Sequence, residues 1–296
     1  MGMKKEDKNM NKFIISVESA CDIDRQTILD NNIQVAPMQF IVNGTTISTD
    51  DKNFSANKIA QLLREGVETK TTQINEYDAK NYLTDILKLN KDIIHISFSS
   101  GMSNTFNNFN NVAGELNKSN VNKIVVVDSL CQSGGVGLLV KMLLDAVNDG
   151  RIKNIYEAKD YLDAVKLKVC HFFTVDNLKY LARGGRISAT SAFVGNMLQL
   201  KPVLRLDNNG MIVPFKKVMG RKKAIKELVE LMKTNYNGLN RNVMITEADC
   251  LEDAELLKQK VLDEFDVDVT VVSLSPLVTC HSGPGTLALY FTLDER

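Results

Sequence analysis

The clearest indication of the fold is an apolar run near the start of the chain, Phe13-Ile14-Ile15-Ser16-Val17. A strand of a parallel sheet is covered on both faces, so it reads as a nearly continuous apolar stretch rather than as an alternating one. Two later stretches, Ile93–Phe98 and Lys123–Val127, have the same character, and each leads through a polar loop into a helical pattern. This alternation predicts a parallel, doubly wound α/β layer in the first half of the chain.

The second half has a different pattern, which begins near residue 165. Two strand-like stretches, 202–206 and 211–215, flank Asp207-Asn208-Asn209-Gly210, which is a strong hairpin signal. Helical patterns then alternate with short strands up to a final predicted strand at 287–293. We therefore expect an α+β domain with a mixed or antiparallel sheet.

The predicted domain organisation has three parts. They are a disordered leader at residues 1–11, an N-terminal α/β domain at 12–165 and a C-terminal α+β domain at 166–296. In doubly wound sheets, ligands bind where loops leave the carboxyl ends of the strands. The fold class thus predicts a ligand at the loops that follow the strands of the N-terminal layer.

Charge and cysteine content argue against several classes of protein. Lys and Arg together number 36, as do Asp and Glu, so the chain lacks the concentrated positive charge that nucleic-acid binding requires. Its five cysteines are scattered and form no C-x-x-C pair, which favours buried thiols in a reducing cytoplasm. No apolar stretch approaches the length that spans a bilayer. We expect a cytoplasmic protein without nucleic-acid partners or stable membrane insertion.

Known catalytic and nucleotide-binding motifs are absent from the sequence. It contains no phosphate loop, no dinucleotide-binding glycine motif, no zinc-protease motif and no nucleophile elbow. Two of its three histidines, His95 and His171, fall in apolar strands, where a structural role is expected. A histidine metal site is therefore not predicted.

Hydroxyl side chains cluster in two predicted loops. Thr71 and Thr72 precede a helix, and Ser99 and Ser100 end a strand next to Gly101. Backbone N–H groups and the helix dipole at such positions favour a bound anion. The same residues are also typical of helix N-caps and turns, and that alternative stays open for each loop by itself.

A third candidate is the run His281-Ser282-Gly283-Pro284-Gly285, which we predict at a strand-to-loop junction. A histidine there, followed by two glycines, can approach a ligand closely and donate a hydrogen bond. A Gly-Pro turn with an incidental histidine is an equally good interpretation of the run.

Together with the segments 178–187 and 201–204, these three runs resemble the DegV family in order and spacing. That family binds fatty acids and includes the binding subunits of bacterial fatty-acid kinase. The resemblance extends from Phe13 to the end of the chain. It implies a long-chain fatty acid buried between the domains, whose carboxylate is held by Thr71, Thr72, Ser99, Ser100 and His281.

The resemblance also implies a division of labour. A separate ATP-dependent kinase subunit would phosphorylate the bound carboxylate. The chain itself would have neither catalytic residues nor a cofactor, and it would carry fatty acid and acyl phosphate toward phospholipid synthesis.

The chain departs from the family pattern at three places. Glu18-Ser19-Ala20 stands where Asp-Ser-Thr is usual, and Thr71-Thr72-Gln73-Ile74 stands where Thr-Ser-Gln-Pro is usual. Met219 replaces an arginine that the resemblance implies in docking the kinase. This last change concerns partner recognition rather than lipid binding.

Clustered positive charge predicts a docking surface. Arg183 and Arg186 flank two glycines, and Arg221 begins a helix with Lys222 and Lys223, where cations oppose the helix dipole. We expect Arg183, Arg186 and Arg221 to contact an acidic kinase-type partner. A plain solvated face is the alternative.

Two other functions stay open. A free-standing hydrolase would use Ser100 with His281, although no carboxylate stands out to orient the histidine. A lipid-responsive regulatory protein would bind the same ligand as the carrier. The preferred chain length depends on apolar residues of the tail tunnel, for which the candidates are Phe172, Phe193, Met197 and Leu198.

Overall fold

The computed structural model describes residues 12–187 and 199–296, which form three sheets with helices packed around them. In chain order the strands are β1 (Ile14–Glu18), β2 (Gln34–Ala36), β3 (Gln39–Val42), β4 (Thr45–Ser48), β5 (Thr69–Thr72), β6 (Ile93–Ser97), β7 (Ile124–Asp128), β8 (Phe172–Thr174), β9 (Leu200–Leu206), β10 (Ile212–Met219), β11 (Asn242–Ala248), β12 (Asp268–Ser273) and β13 (Thr286–Tyr290). The α-helices are α1 (Arg25–Asp30), α2 (Ala56–Arg64), α3 (Glu76–Leu87), α4 (Thr105–Leu116), α5 (Gly134–Asn148), α6 (Ile155–Val165), α7 (Lys179–Arg183), α8 (Arg221–Asn235), α9 (Leu251–Leu262) and α10 (Pro276–Ser282). None of these helices has both the length and the apolar character needed to cross a bilayer.

The first sheet consists of four parallel strands in the order β2-β1-β6-β7. Its central strands β1 and β6 are buried along their full length. Neighbouring residues of β1 pack on opposite sides: Ile14 belongs to a cluster with Leu83 of α3 and Phe109 of α4, and Ile15 to a cluster with Leu139 of α5. This confirms the parallel, doubly wound layer predicted for the first half.

The second sheet has six strands in the order β10-β9-β8-β13-β11-β12. Neighbouring strands are antiparallel except β11 and β12, which run parallel. β9 and β10 form the predicted hairpin, and the N–H of Gly210 donates to the carbonyl of Asp207 at 3.0 Å in its turn. The mixed sheet expected for the second half is confirmed, although its last strand ends at Tyr290 rather than at Leu293.

The third sheet has the order β4-β3-β5. The extended pattern of residues 34–42 and the turn signal Asn43-Gly44 predict β3 and its turn into β4, whereas the pairing of β3 with β5 was not predicted. The loop predicted at 70–73 is largely wrong, because residues up to Thr72 form strand β5, in which Thr71 pairs with Phe40 of β3. Threonine is β-branched and suits a half-buried strand, so its hydroxyl is not by itself a loop signal. β5 therefore holds Thr71 and Thr72 on a regular element.

The residues around His281 form a helix and not the predicted strand-to-loop junction. α10 begins after Ser275, whose side chain accepts a hydrogen bond from the N–H of Val278, and Pro276 occupies the first helical turn. Both features are typical of a helix start. The helix ends at Gly283, whose φ of 79° lies in the left-handed region that favours glycine. His281 thus lies in the last turn of a short helix.

One core cluster joins the first sheet to the second. It contains Ile15 and Leu139 from the first half together with Phe173, Leu204 and Ala288 from the second. Residues on both sides of the boundary predicted at 165/166 contribute to this cluster. The division into domains at 12–165 and 166–296 stays a prediction.

Candidate ligand-binding cavity

A cavity of about 300 Å³ lies among the first sheet, the second sheet and α10. Its walls come from the loops that follow β1, β6 and β7, from β5, from α10, and from the face of the second sheet that includes β8 and β13. These loops leave the carboxyl ends of parallel strands, which is where the fold class predicts a ligand.

Two elements run along the cavity and define its long axis. Leu277, Val278 and His281 lie on one face of α10 at helical spacing, and Ala288 and Tyr290 alternate on one face of β13. β13 covers about 13 Å from its first to its last residue. The cavity is therefore elongated and mainly apolar between its ends.

The two ends of this axis are fixed by hydrogen bonds. At one end a tight turn joins α10 to β13, and the hydroxyl of Thr286 donates to the carbonyl of Gly283 at 2.7 Å. At the other end Asp22 accepts two hydrogen bonds, from the N–H of Ser275 at 2.7 Å and from the hydroxyl of Ser133 at 2.5 Å. Asp22 thus connects the start of α10 to the loop before α5.

The end near Asp22 is closed and buried. The hydroxyl of Ser133 lies 3.5 Å from Thr246 Oγ1, which lies 3.0 Å from the hydroxyl of Tyr290. Ser133 and Tyr290 are only 1% and 2% exposed. Burial raises the pKa of the Asp22 carboxyl to about 7, against the effect of its hydrogen bonds to Ser133 and Ser275.

The opposite end forms a polar mouth. Gln73 is exposed, and Thr71, Thr72 and Arg186 are partly exposed while they line the cavity. Arg186 brings a guanidinium to the wall. The cavity is therefore polar and cationic at the mouth and mainly apolar between its two ends.

His281 forms the centre of the mouth. Its Nε2 atom lies 2.7 Å from the hydroxyl oxygen of Thr71. Burial, followed by the charges of Arg186 and Arg183, lowers the pKa of His281 to about 4. The imidazole is therefore neutral near pH 7, with one nitrogen able to donate and one able to accept. Gly184 packs so closely on this ring that an added Cβ would collide with it.

Comparison with known proteins identifies the family. The profile described as "Uncharacterised protein, DegV family" matches residues 12–294. The chain belongs to the DegV family. It is 34% identical over 292 residues to a DegV domain-containing protein of Clostridium perfringens, which covers 97% of this chain and 99% of the relative.

Two solved DegV structures are similar to this chain over nearly their whole length. A DegV lipid binding protein of Thermotoga maritima is 26% identical, with a TM-score of 0.84, and the match covers 96% of this chain and 99% of that one. A DegV family protein of Thermus thermophilus, whose structure is described as fatty acid binding, is 24% identical with a TM-score of 0.84 over 95% and 100% of the two chains. The second likeness is one of fold.

Three of the residues predicted to hold a carboxylate line the mouth of the DegV cavity. They are Thr71, Thr72 and His281. Thr71 contacts the imidazole of His281, and the hydroxyl of Thr72 donates to the carbonyl of Gln39 at 3.3 Å. The structure thus brings together residues that are 210 positions apart in the DegV sequence.

Ser99 and Ser100 do not line the DegV cavity. Ser99 is buried, and its hydroxyl donates to the carbonyl of Gly210 at 2.9 Å, so it fastens the hairpin between β9 and β10. Ser100 has an exposed side chain, while Ser103 of the same loop lines the cavity. The position after a strand does not determine which hydroxyl of a loop faces inward.

The three arginines predicted to dock a partner lie in different environments. Arg183 is exposed and donates to Thr69 Oγ1 at 3.3 Å, and Arg186 lines the cavity. Arg221 donates to Asp253 at 2.7 Å and to the carbonyl of Gly285 at 2.7 Å. Arg221 therefore stabilises the turn after α10.

The closed end and most of the residues that contact the tail were not predicted from the sequence. The residues Ser133 and Tyr290 carried no motif, although Gly134 lets the ring of Tyr290 pack against the start of α5. Phe172 packs in a separate cluster, whereas its neighbour Phe173 lines the cavity. The remaining tail candidates, Phe193, Met197 and Leu198, lie outside the described residues.

Glu18 and two histidines are buried behind the cavity of this DegV chain. Glu18 accepts hydrogen bonds from the hydroxyl of Ser97 at 2.5 Å and from the N–H of Phe98 at 2.9 Å. It therefore supports the loop that carries Phe98 into the cavity wall. His95 and His171 are at most 1% exposed, and neither lines the cavity.

Proposed function

We propose that this DegV-family chain binds a long-chain fatty acid, with the carboxylate at the mouth of the cavity and the tail directed toward Tyr290. The observation that carries the proposal is the polarity of the cavity, which is polar and cationic at the mouth, mainly apolar along its length and buried at its inner end. A fatty acid has the same distribution of polarity. The lipid-binding relative in Thermotoga maritima supports the same class of ligand.

The tail and the head group have different tasks in this arrangement. At about 0.8 kcal/mol per buried methylene, ten methylenes contribute about 8 kcal/mol before the cost of ordering the ligand. A hydrogen bond to the charged carboxylate adds about 1.5–3 kcal/mol. The tail therefore provides most of the affinity, and the head group determines the position and direction of the ligand.

The head group would contact Thr71, Thr72 and His281, with Arg186 and Ser103 added to the set expected from the sequence. The hydroxyl of Thr71 and the neutral imidazole of His281 already lie together, so a carboxylate can bind both without large rearrangement. Arg186 supplies the complementary charge. Ser99 and Ser100 are left out, because neither of them lines the cavity.

We propose further that the mouth presents the carboxylate to a separate ATP-dependent kinase subunit in the cytoplasm. The chain would then carry the acyl phosphate toward phospholipid synthesis without catalytic residues of its own. Two observations support this role. The polar end of the cavity is its exposed end, and Arg183 beside it offers a cation to an acidic partner surface.

Extraction and mass spectrometry of the purified protein test the ligand, and calorimetry with palmitic acid tests its site. Thr71→Val removes one hydroxyl from the mouth, so we expect about tenfold weaker binding. Thr46→Val, at an exposed position of β4, is the matched control and should bind as the wild type does. A protein that contains no lipid and takes up no palmitic acid would contradict the proposal.

Formation of acyl phosphate by an added fatty-acid kinase subunit tests the partnership. Arg183→Ala should lower the rate and remove part of its salt dependence, since an exposed ion pair weakens as salt rises. Arg25→Ala, at an exposed position of α1, is the control. Equal rates for both variants at every salt concentration would remove Arg183 from the docking surface.

A further inference from the structure

The hydroxyl of Ser282 lacks a partner in a place where hydrogen bonding is expected. Ser282 is the last residue of α10, is 4% exposed and lines the cavity. Its Oγ atom makes no hydrogen bond to any group in residues 12–187 and 199–296. A serine in a helix commonly donates to the carbonyl four residues earlier, and Ser282 does not use that option.

A buried hydroxyl without a hydrogen bond destabilises the folded protein, because it has given up its bonds to water. Such groups are rare in folded proteins, and each one requires an explanation. Among residues 12–187 and 199–296, two other buried side-chain atoms lack a hydrogen bond, Nδ1 of His171 and Oγ1 of Thr174, but neither residue lines the cavity. Ser282 therefore has both an unpaired hydroxyl and a position in the cavity wall, where a ligand can reach it.

The neighbours of Ser282 indicate which part of a ligand it meets. Its Cα atom is one peptide unit, about 3.8 Å, from that of His281. The hydroxyl of Thr286, on the other side of the turn, is already donated to Gly283, and that of Thr71 contacts His281. Ser282 is therefore an uncommitted donor at the corner where α10 meets β13.

We propose that Ser282 donates a hydrogen bond to the carboxylate of the bound acyl ligand and thereby adds a buried contact behind His281. This inference rests on the proposed function, since the carboxylate holds the hydrogen-bond acceptors of a saturated fatty acid. The bond forms deeper in the protein than that of Thr71, where electrostatic interactions are less screened. Ser282 therefore distinguishes an ionised head group from a neutral one.

Because the hydroxyl of Ser282 lacks a hydrogen bond, Ser282→Ala should stabilise the ligand-free protein and weaken the binding of the acid. In the delipidated protein the variant removes an unsatisfied hydroxyl, so its thermal midpoint should rise by a degree or more, about the shift that a small gain in stability produces. In the complex the variant loses a charge-assisted bond, so palmitic acid should bind about tenfold more weakly. Methyl palmitate, which has no charge, should lose less than threefold, about the value of a weak neutral bond.

Calorimetry and thermal unfolding of the wild type, Ser282→Ala, Ser282→Thr and Ser119→Ala test this inference. Ser282→Thr keeps the hydroxyl and should restore the preference for the acid over the ester. Ser119→Ala changes an exposed serine and should match the wild type in every measurement. Equal losses for palmitic acid and methyl palmitate in Ser282→Ala would overturn the inference and leave the proposed function intact.

Unchanged binding of palmitic acid and methyl palmitate by Ser282→Ala would also overturn the inference about Ser282. If the wild type itself binds neither ligand, the proposed function fails and the inference fails with it. A rise in the thermal midpoint together with a loss that is specific to the acid is the result that supports the bond.

Discussion

At the scale of single residues, the two ends of the cavity carry titratable groups whose pKa values are shifted in opposite directions. Burial raises the pKa of Asp22 to about 7 and lowers that of His281 to about 4. In both cases the folded chain favours the neutral form. The contribution of Asp22 to the free energy of unfolding has its full value below pH 3.8, the pKa of this carboxyl in the unfolded chain. That contribution is lost as the pH rises through 7. The contribution of His281 to the free energy of unfolding decreases instead as the pH falls from 6.5 to 4.

These opposing contributions overlap between pH 4 and 6.5, so a variant is needed to separate them. We assign to Asp22 a loss in the free energy of unfolding between pH 4 and 8, and Asp22→Asn should abolish it. The loss amounts to at most about 4 kcal/mol, since each pKa unit corresponds to about 1.36 kcal/mol. The backbone at Asp22 has a φ of 43°, a conformation that asparagine tolerates. Urea unfolding at several pH values measures the difference from the wild type.

The control for this measurement is Asp50→Asn, which changes an exposed carboxyl. It should follow the pH dependence of the wild type. If Asp22→Asn follows it as well, the carboxyl of Asp22 is hydrated in solution and the closed end of the cavity is wetter than the structure indicates.

At the scale of elements, local sequence patterns predicted the regular part of the fold but not the two elements that form the mouth. The strands of the first sheet and the hairpin at Gly210 have periodicity and turn residues that act within a few positions. α10 is short and contains Val278 and Thr279, whose branched side chains disfavour a helix. Ser275 and Pro276 are typical of a helix start, and they were the local sequence signal from which α10 could have been predicted.

The closed end could not be found from local patterns at all. Its hydrogen bonds join Asp22 to Ser133 and Ser275, which are 111 and 253 positions away in the chain. Only the topology of the two sheets brings these residues together. The mouth was partly predictable, because Thr71 and His281 belong to runs that are recognisable as family motifs.

The contact between α7 and α10 leads to a prediction at this scale. A methyl group at Gly184 would collide with the imidazole of His281, so Gly184→Ala should destabilise the protein by about 1–3 kcal/mol and weaken binding of palmitic acid. Gly114 lies inside α4 with free space around it, and Gly114→Ala should instead stabilise the protein by about 0.5–1 kcal/mol.

Urea unfolding measures both glycine variants, and calorimetry measures their binding. The test is that the two variants change the free energy of unfolding in opposite directions, although both add the same methyl group. If Gly184→Ala is as stable as the wild type and binds palmitic acid as well, α7 does not confine His281.

At the scale of the whole molecule, the core shared by the first and second sheets makes the two halves dependent on each other. Residues such as Leu139 of α5 and Phe173 of β8 belong to one cluster, so the loss of either sheet would expose the other. We expect a single cooperative unfolding transition that has the same midpoint by far-UV circular dichroism and by tyrosine fluorescence. Two separate transitions would show instead that residues 12–165 and 166–296 unfold as independent domains.

The burial of Ser133 and Tyr290, together with the exposed mouth around Gln73, has a kinetic consequence. In the part of the chain that the structure describes, the passage opens at this mouth and is closed near Tyr290, so a bound acid leaves lengthwise and every buried methylene must pass the mouth before release. Each methylene adds about 0.8 kcal/mol to that barrier, which prolongs the residence time about fourfold. Stopped-flow displacement of saturated acids from ten to sixteen carbons should give a linear rise of the logarithm of residence time until the passage is full, and a plateau beyond that length. A residence time independent of chain length would indicate that the acid escapes sideways through an opening wall.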